Sequence, residues 1–254
     1  MPSVIKHTLA LTLKLSDATN GGLIESGIRF SIDGKPRRPL PKPEGYFVFL
    51  TEDLPEASFD LDVRASGYVP TTRRVLLEAP GIGPPLLSVE MVPEEGLSWN
   101  MRFGTLSGER KGLVAIDAVR VGEKICFAGA FDARKRMLTV YNPYRHTFNR
   151  TRYALVDPAG LRYEPFVIES YASDETFKID HPFVSAVSAE SPIAPVVVGL
   201  VRADGTYLLR VRDESLDNRW IVRFTEAEGE RFELVDFNEP ETARLKASEK
   251  SKKN

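Results

Sequence analysis

The sequence predicts an all-β chain, a β-sandwich followed by a second β-sandwich or barrel, and three observations predict it. Leu9, Leu11, Leu13 and Leu15 alternate with Ala10, Thr12, Lys14 and Ser16, the period of a strand with one buried face. Turn residues interrupt such runs about every 8–12 residues, the spacing of an all-β fold. Almost no stretch holds the 3.6-residue period of an amphipathic helix.

The first strand covers residues 4–16. Asp17-Ala18-Thr19-Asn20-Gly21-Gly22 breaks it with residues that tolerate positive φ. Strands follow at 27–32, 45–50, 58–65, 71–77 and 86–92. Leu9, Leu11, Leu13, Phe30, Phe47, Phe49, Leu61, Val63 and Val89 are their expected common core. Asp60 and Asp62 alternate with Phe59, Leu61 and Val63 and so belong to a solvent face. Residues 35–43 hold four prolines and read as a stiff connection, although Pro36-x-x-Pro39 is also the spacing of a polyproline II ligand. Pro93-Glu94-Glu95-Gly96 is a breaker, which places a first domain at 1–95 and a second at 96–238.

In the second domain, strands are expected at 99–104, 113–119, 124–130, 137–141, 153–156, 162–168, 176–179, 195–201, 206–211, 220–225 and 231–237. Asp204-Gly205 between two apolar runs is the strongest hairpin signal. Residues 239–254 carry a single leucine among many charges and read as a disordered tail.

The run Asp17…Gly22-Leu23-Ile24, Gly27-Ile28-Arg29-Phe30, Gly45-Tyr46-Phe47-Val48-Phe49 and Ala65-Ser66-Gly67-Tyr68 closes on Val89-Glu90-Met91-Val92-Pro93. It resembles the prealbumin-like, or carboxypeptidase-regulatory-like, Ig-like β-sandwich domain. Leu23 stands where that family usually has proline. The resemblance covers the first third of the chain and implies a structural and binding scaffold with no catalytic residues.

Composition narrows the function. A hydrophobic content of 42% and a charged content of 28% suit a packed globular chain. A net charge of −2 argues against bulk attraction to nucleic acid or anionic lipid. One cysteine, Cys126, forms no intrachain disulfide and reads as a small buried apolar residue. No secretory signal or membrane-length apolar run is visible, so the expected location is the cytoplasm.

Catalytic and metal motifs are missing: no Gly-x-Ser-x-Gly, His-Glu-x-x-His or Cys-x-x-Cys. His7, His146 and His181 share no ligand spacing, and no cofactor or metal is expected. The acidic run Asp213-Glu214-Ser215-Leu216-Asp217 lacks the glycine and spaced ligands of a calcium loop.

One segment rises above this background. From Arg134 to Arg152 there are six basic residues and no acid, interleaved with Tyr141, Tyr144, His146 and Phe148. Arginine forks pair with carboxylates, and tyrosine with arginine is the composition of protein-binding hot spots. Tyr144, Arg145, His146, Phe148, Arg150 and Arg152 are therefore the expected partner-binding residues. The competing reading is a long hairpin whose arginines pair with acids such as Glu169.

Three classes remain. The first is a non-catalytic structural or adaptor subunit docking into a larger protein assembly, such as a phage-tail-like or contractile-injection particle. The second is a carbohydrate- or ligand-binding module using Trp99, Trp220 and the tyrosines. The third is an enzyme whose site is assembled from distant residues.

Overall fold

The computed structural model describes residues 9–55, 58–77, 85–97, 102–148, 152–157, 161–185, 187, 188, 190–212 and 218–238. The described residues are all-β, and the one helical turn among them is a 3-10 turn at Thr51–Asp53. The chain divides into two compact units, Met1–Trp99 and Asn100–Asn254. The charged segment 239–254 lies outside the described residues.

The first unit has eight described strands: β1 (Leu9–Asp17), β2 (Ile28–Ile32), β3 (Lys35–Arg37), β4 (Leu40–Lys42), β5 (Tyr46–Leu50), β6 (Ser58–Ala65), β7 (Thr71–Leu76) and β8 (Leu86–Met91). They form two four-stranded sheets, β4-β5-β1-β8 and β3-β2-β6-β7. Leu11, Leu13, Leu15, Phe47, Phe49 and Val89 of one sheet share a core with Phe30, Phe59, Leu61 and Val63 of the other. Asp60 faces out and pairs with Arg74 across β6 and β7.

Two expectations need correction here. Leu9 is 40% exposed and is not core. The β1–β5 register slips between Leu9 and Leu11, and one extra residue in a strand turns the side chain before it to the other face. Residues 35–43 are also not simply a connection. They supply β3 and β4, the edge strands of the two sheets, where proline costs no ladder bond on its free side and blunts the edge.

The turn after β1 is built on Asp17, which is buried. Its Oδ1 accepts the Thr19 amide at 2.7 Å and the Thr19 hydroxyl at 2.6 Å. Its Oδ2 accepts the Tyr68 hydroxyl at 3.2 Å. The turn motif and the Gly67-Tyr68 motif, 51 positions apart, therefore meet at one carboxylate.

The second unit begins its described strands with β9 (Phe103–Glu109), β10 (Leu113–Arg120), β11 (Cys126–Asp132), β12 (Met137–Tyr141), β13 (Arg152–Asp157), β14 (Arg162–Ser173) and β15 (Thr176–Ile179). It continues with β16 (Pro192–Pro195), β17 (Val197–Val198), β18 (Leu200–Val201), β19 (Thr206–Arg212), β20 (Arg219–Glu226) and β21 (Gly229–Asp236). Strands β11-β12-β15-β14-β13-β16 close into a barrel, β17-β10-β20-β21 form a sheet, and β18-β19-β9 form a smaller one. Asp204 and Gly205 make the β18–β19 hairpin, with the Asp204 carboxylate accepting the Thr206 amide at 2.9 Å.

The four-stranded sheet buries side chains on both faces, so it forms the middle layer. Ile116, Ala118, Trp220, Val222 and Phe224 on one face pack with Leu106, Leu209 and Val211 of the small sheet. Val119 and Ile221 on the other face pack with Ala154, Tyr163 and Ala194 of the barrel. Alternation along β20 and along β10 from Ile116 onward produces this two-sided burial. The barrel interior is filled by side chains such as Cys126, Val140, Tyr153, Phe166 and Phe177.

Candidate functional site

The candidate surface is the flank of the barrel where β12 ends. Alternation sends Cys126, Ala128, Leu138, Val140 and Ile193 inward, which puts Phe127, Tyr141 and Pro192 on the outside. The register lines those three up in one row: Phe127 lies opposite Tyr141 on β12 and opposite Pro192 on β16. Tyr141 is 62% exposed, and Phe127 and Pro192 are half-buried. Lys124 extends its Nζ over the Phe127 ring, 5.3 Å from the centroid, a cation–π contact that leaves the ammonium at the surface.

The segment after Tyr141 is a braced turn. Asn142 Nδ2 donates to the His146 carbonyl and Asn142 Oδ1 accepts the His146 amide, both at 2.9 Å. The Arg145 amide donates to the Asn142 carbonyl at 3.1 Å, and Arg145 itself has φ of 50°. Phe148 anchors the far end, with its ring 4.5 Å from Phe177 and 5.1 Å from Tyr153. Tyr171 then donates its hydroxyl to the Phe148 carbonyl at 3.1 Å. Between these fixings Tyr144 is 68% exposed and Arg145 is exposed.

The sequence-predicted binding residues therefore have different placements. Tyr144, Arg145 and His146 lie exposed on one turn. Phe148 points inward and packs against the barrel core, so its ring fixes the turn. Arg152 is half-buried at the start of β13, where its carbonyl accepts the Val196 amide. Arg150 lies outside the described residues. Arg136, from the same basic run, is held by Glu169 through contacts of 3.0 and 3.2 Å. Phe127 and Pro192 did not stand out in the sequence. Only the strand register, which joins residues far apart in the chain, brings them beside Tyr141.

Trp220 does not offer a stacking face for a sugar. It is 5% exposed, packs between the two sheets and donates its indole N–H to Asn218 at 2.9 Å. Trp99 lies outside the described residues, as do His7 and the acidic run 213–217. Cys126 is fully buried, and burial pushes its thiol up to about 12, the state of an unreactive thiol. His181 Nδ1 lies 2.8 Å from Asp180. Among the described residues, no group of three His, Cys, Asp or Glu side chains could hold a metal ion. No helix among them is long and apolar enough to cross a membrane.

No protein family profile matches the chain. No curated protein sequence matches it. Among solved structures, a weak likeness is to SGBP-B of the Bacteroides ovatus mixed-linkage glucan utilization locus, in complex with a mixed-linkage heptasaccharide. The identity is 11% and the TM-score 0.15, over 93% of this chain and 44% of that one. At that TM-score the likeness bears on neither the fold nor the ligand.

Proposed function

We propose that the chain is a non-catalytic adaptor subunit that docks onto a protein partner within a larger assembly, through the barrel flank bearing Tyr141 and Tyr144. The observation that carries this reading is the row Tyr141–Phe127–Pro192 beside a braced turn that presents Tyr144 and Arg145. Tyrosine and arginine on a rigid support are the usual energetic anchors of protein interfaces, because little conformational freedom is lost when they are covered. The closed barrel offers no strand edge, so recognition there runs through side chains. The prealbumin-like resemblance of the first unit fits a scaffold role, and a particle of the phage-tail type is one such assembly.

A second reading is a carbohydrate-binding module. The exposed tyrosines favour it, since each offers an apolar face and a polar tip. The burial of Trp220 removes part of its basis.

Alanine substitution at Tyr141 and Tyr144, with partner capture from the source cell and melting measured on the same proteins, tests the adaptor reading. Capture falls by about 1–2 kcal/mol for each anchor, and stability stays within about 0.5 kcal/mol, as for surface sites. Unchanged capture with reduced binding on a glycan array favours the carbohydrate module instead.

A further inference from the structure

We infer that β21 is a dimer edge, which takes the same strand of a second copy antiparallel across a two-fold axis at Phe232. This does not depend on the barrel flank. Among the described residues β21 pairs with β20 alone, through eight consecutive residue pairs without a bulge. An edge of that length is normally blunted by proline, lysine or a bulge. β21 has none of these, whereas the edge strands β3 and β4 of the first unit carry prolines. The hairpin decides which backbone groups are free. The Phe237 amide donates to the Asn218 carbonyl at 3.0 Å, and in an antiparallel ladder only every second residue bonds to a given neighbour. Arg231, Glu233 and Val235 therefore bond to β20, and Glu230, Phe232 and Leu234 turn their N–H and C=O groups to the open edge.

Side chains choose the register. An axis at Arg231 sets two arginines face to face, and an axis at Glu233 sets two acids face to face, both unfavourable. An axis at Leu234 leaves Glu233 opposite Val235 of the second copy. An axis at Phe232 places Arg231 opposite Glu233 of the second copy on both sides of the two-fold, and it pairs the free groups of Glu230, Phe232 and Leu234 completely. Arg231 Nε already lies 3.1 Å from Glu233 of its own strand, so the two charges stand on one face, ready for that pairing. On the other face Phe232 meets Phe232, an aromatic cross-strand pair, and Leu234, 51% exposed, gains cover. The remaining acids of the strand are matched within their own chain. Glu230 holds Arg223 at 2.6 Å, and Asp236 stands opposite Arg219. Glu228, in the turn, falls beyond the paired stretch.

Sedimentation of the full chain from about 1 to about 100 µM tests this. A monomer–dimer equilibrium is expected, with amide exchange at Glu230, Phe232 and Leu234 slowing as the dimer fills. Leu234→Pro removes an edge N–H without touching the ladder to β20, so the dimer is lost while the melting temperature holds. Arg231→Glu sets acids face to face and weakens the dimer by at least about tenfold. Adding Glu233→Arg to that variant restores the opposite-charge pair and recovers part of the loss. If Leu234→Pro lowers the melting temperature, the charge series decides. A chain that stays monomeric, or a dimer unmoved by both Leu234→Pro and Arg231→Glu, overturns the inference. Edge protection that arises only when another protein is added also overturns it, because the strand then belongs to a different partner.

Discussion

Asp117 on β10 and Arg223 on β20 stand directly opposite each other in the antiparallel ladder, both buried. The Asp117 carboxylate accepts Arg223 Nε at 3.0 Å and Nη2 at 2.5 Å. On the barrel side Tyr163 of β14 donates its hydroxyl to the same carboxylate, and Arg223 Nη1 reaches Glu230 at 2.6 Å. Burial, together with the neighbouring Asp117, pushes the Tyr163 phenol well above its usual range. This polar cluster sits among the apolar contacts that join the middle sheet to the barrel, and so it fixes how those layers meet. A buried pair of this kind adds little net stability, because the cost of desolvating both charges offsets much of their attraction.

Removing one member leaves the others uncompensated. Asp117→Ala strands the Arg223 guanidinium, with only Glu230 on its exposed side, and is expected to cost about 3–5 kcal/mol. Tyr163→Phe removes one donor from a carboxylate that keeps its arginine, and is expected to cost about 1–3 kcal/mol. The Asp117→Leu, Arg223→Met double variant recovers part of the loss. Urea denaturation of the single and double variants gives the coupling, and strictly additive losses would show that the residues act independently.

Little of this cluster was legible in the sequence. Asp117 and Arg223 are 106 positions apart, and each alone reads as an ordinary surface charge on an alternating strand. What was legible is local. The leucines of β1 and the Phe47–Phe49 pair declare their buried face through alternation, and Asp204-Gly205 declares its hairpin. The bulge at Leu9 was hidden because register depends on the partner strand. Trp220 read as a possible sugar platform, yet its alternation with Val222 and Phe224 places it on a buried face. Phe127 was hidden for the opposite reason: an apolar residue in a strand reads as core until the direction of the barrel wall is known.

Gly199 shows how tightly the middle layer is packed. A Cβ there would lie 2.6 Å from Ile116 Cγ2 and 2.9 Å from the Leu208 carbonyl oxygen. Backbone cannot swing aside as a side chain can. Gly199→Ala is expected to destabilise the protein by about 1–3 kcal/mol, the usual range for overpacking. A denaturation midpoint equal to that of the parent protein would show that the layer has slack.

Cys126 gives a test of the barrel interior. With the thiol fully buried and shifted to about 12, thiol reagents at neutral pH should modify it only on the timescale of unfolding. Rapid labelling of native protein, with loss of a measurable activity, would reopen the enzyme class.

Glu169 supplies a pH signature. Lys178 at 2.9 Å and then Arg136 hold its carboxyl below the usual carboxylate range. A lowered folded pKa contributes stability that is fully present above the unfolded value of about 4.3. That contribution is lost as pH falls through the lowered folded value. The effect is small because the group is screened by solvent. Glu169→Gln should therefore lower the melting temperature slightly at neutral pH and converge with the parent protein in acid, which flattens the acid limb of the profile. An unchanged acid limb would mean that the cluster contributes nothing.

The docking face itself is tested most directly by photo-crosslinking. Benzoylphenylalanine is placed in the full-length chain at Tyr141, at Tyr144 and, as a control, at Leu76, an exposed residue of the first unit. Irradiation in the source cell, followed by mass spectrometry of the adducts, reads out what covers each position. A docking face on the barrel flank yields one discrete protein adduct shared by positions 141 and 144 and absent from position 76. An adduct confined to position 76, or no protein adduct at either tyrosine position, would contradict it.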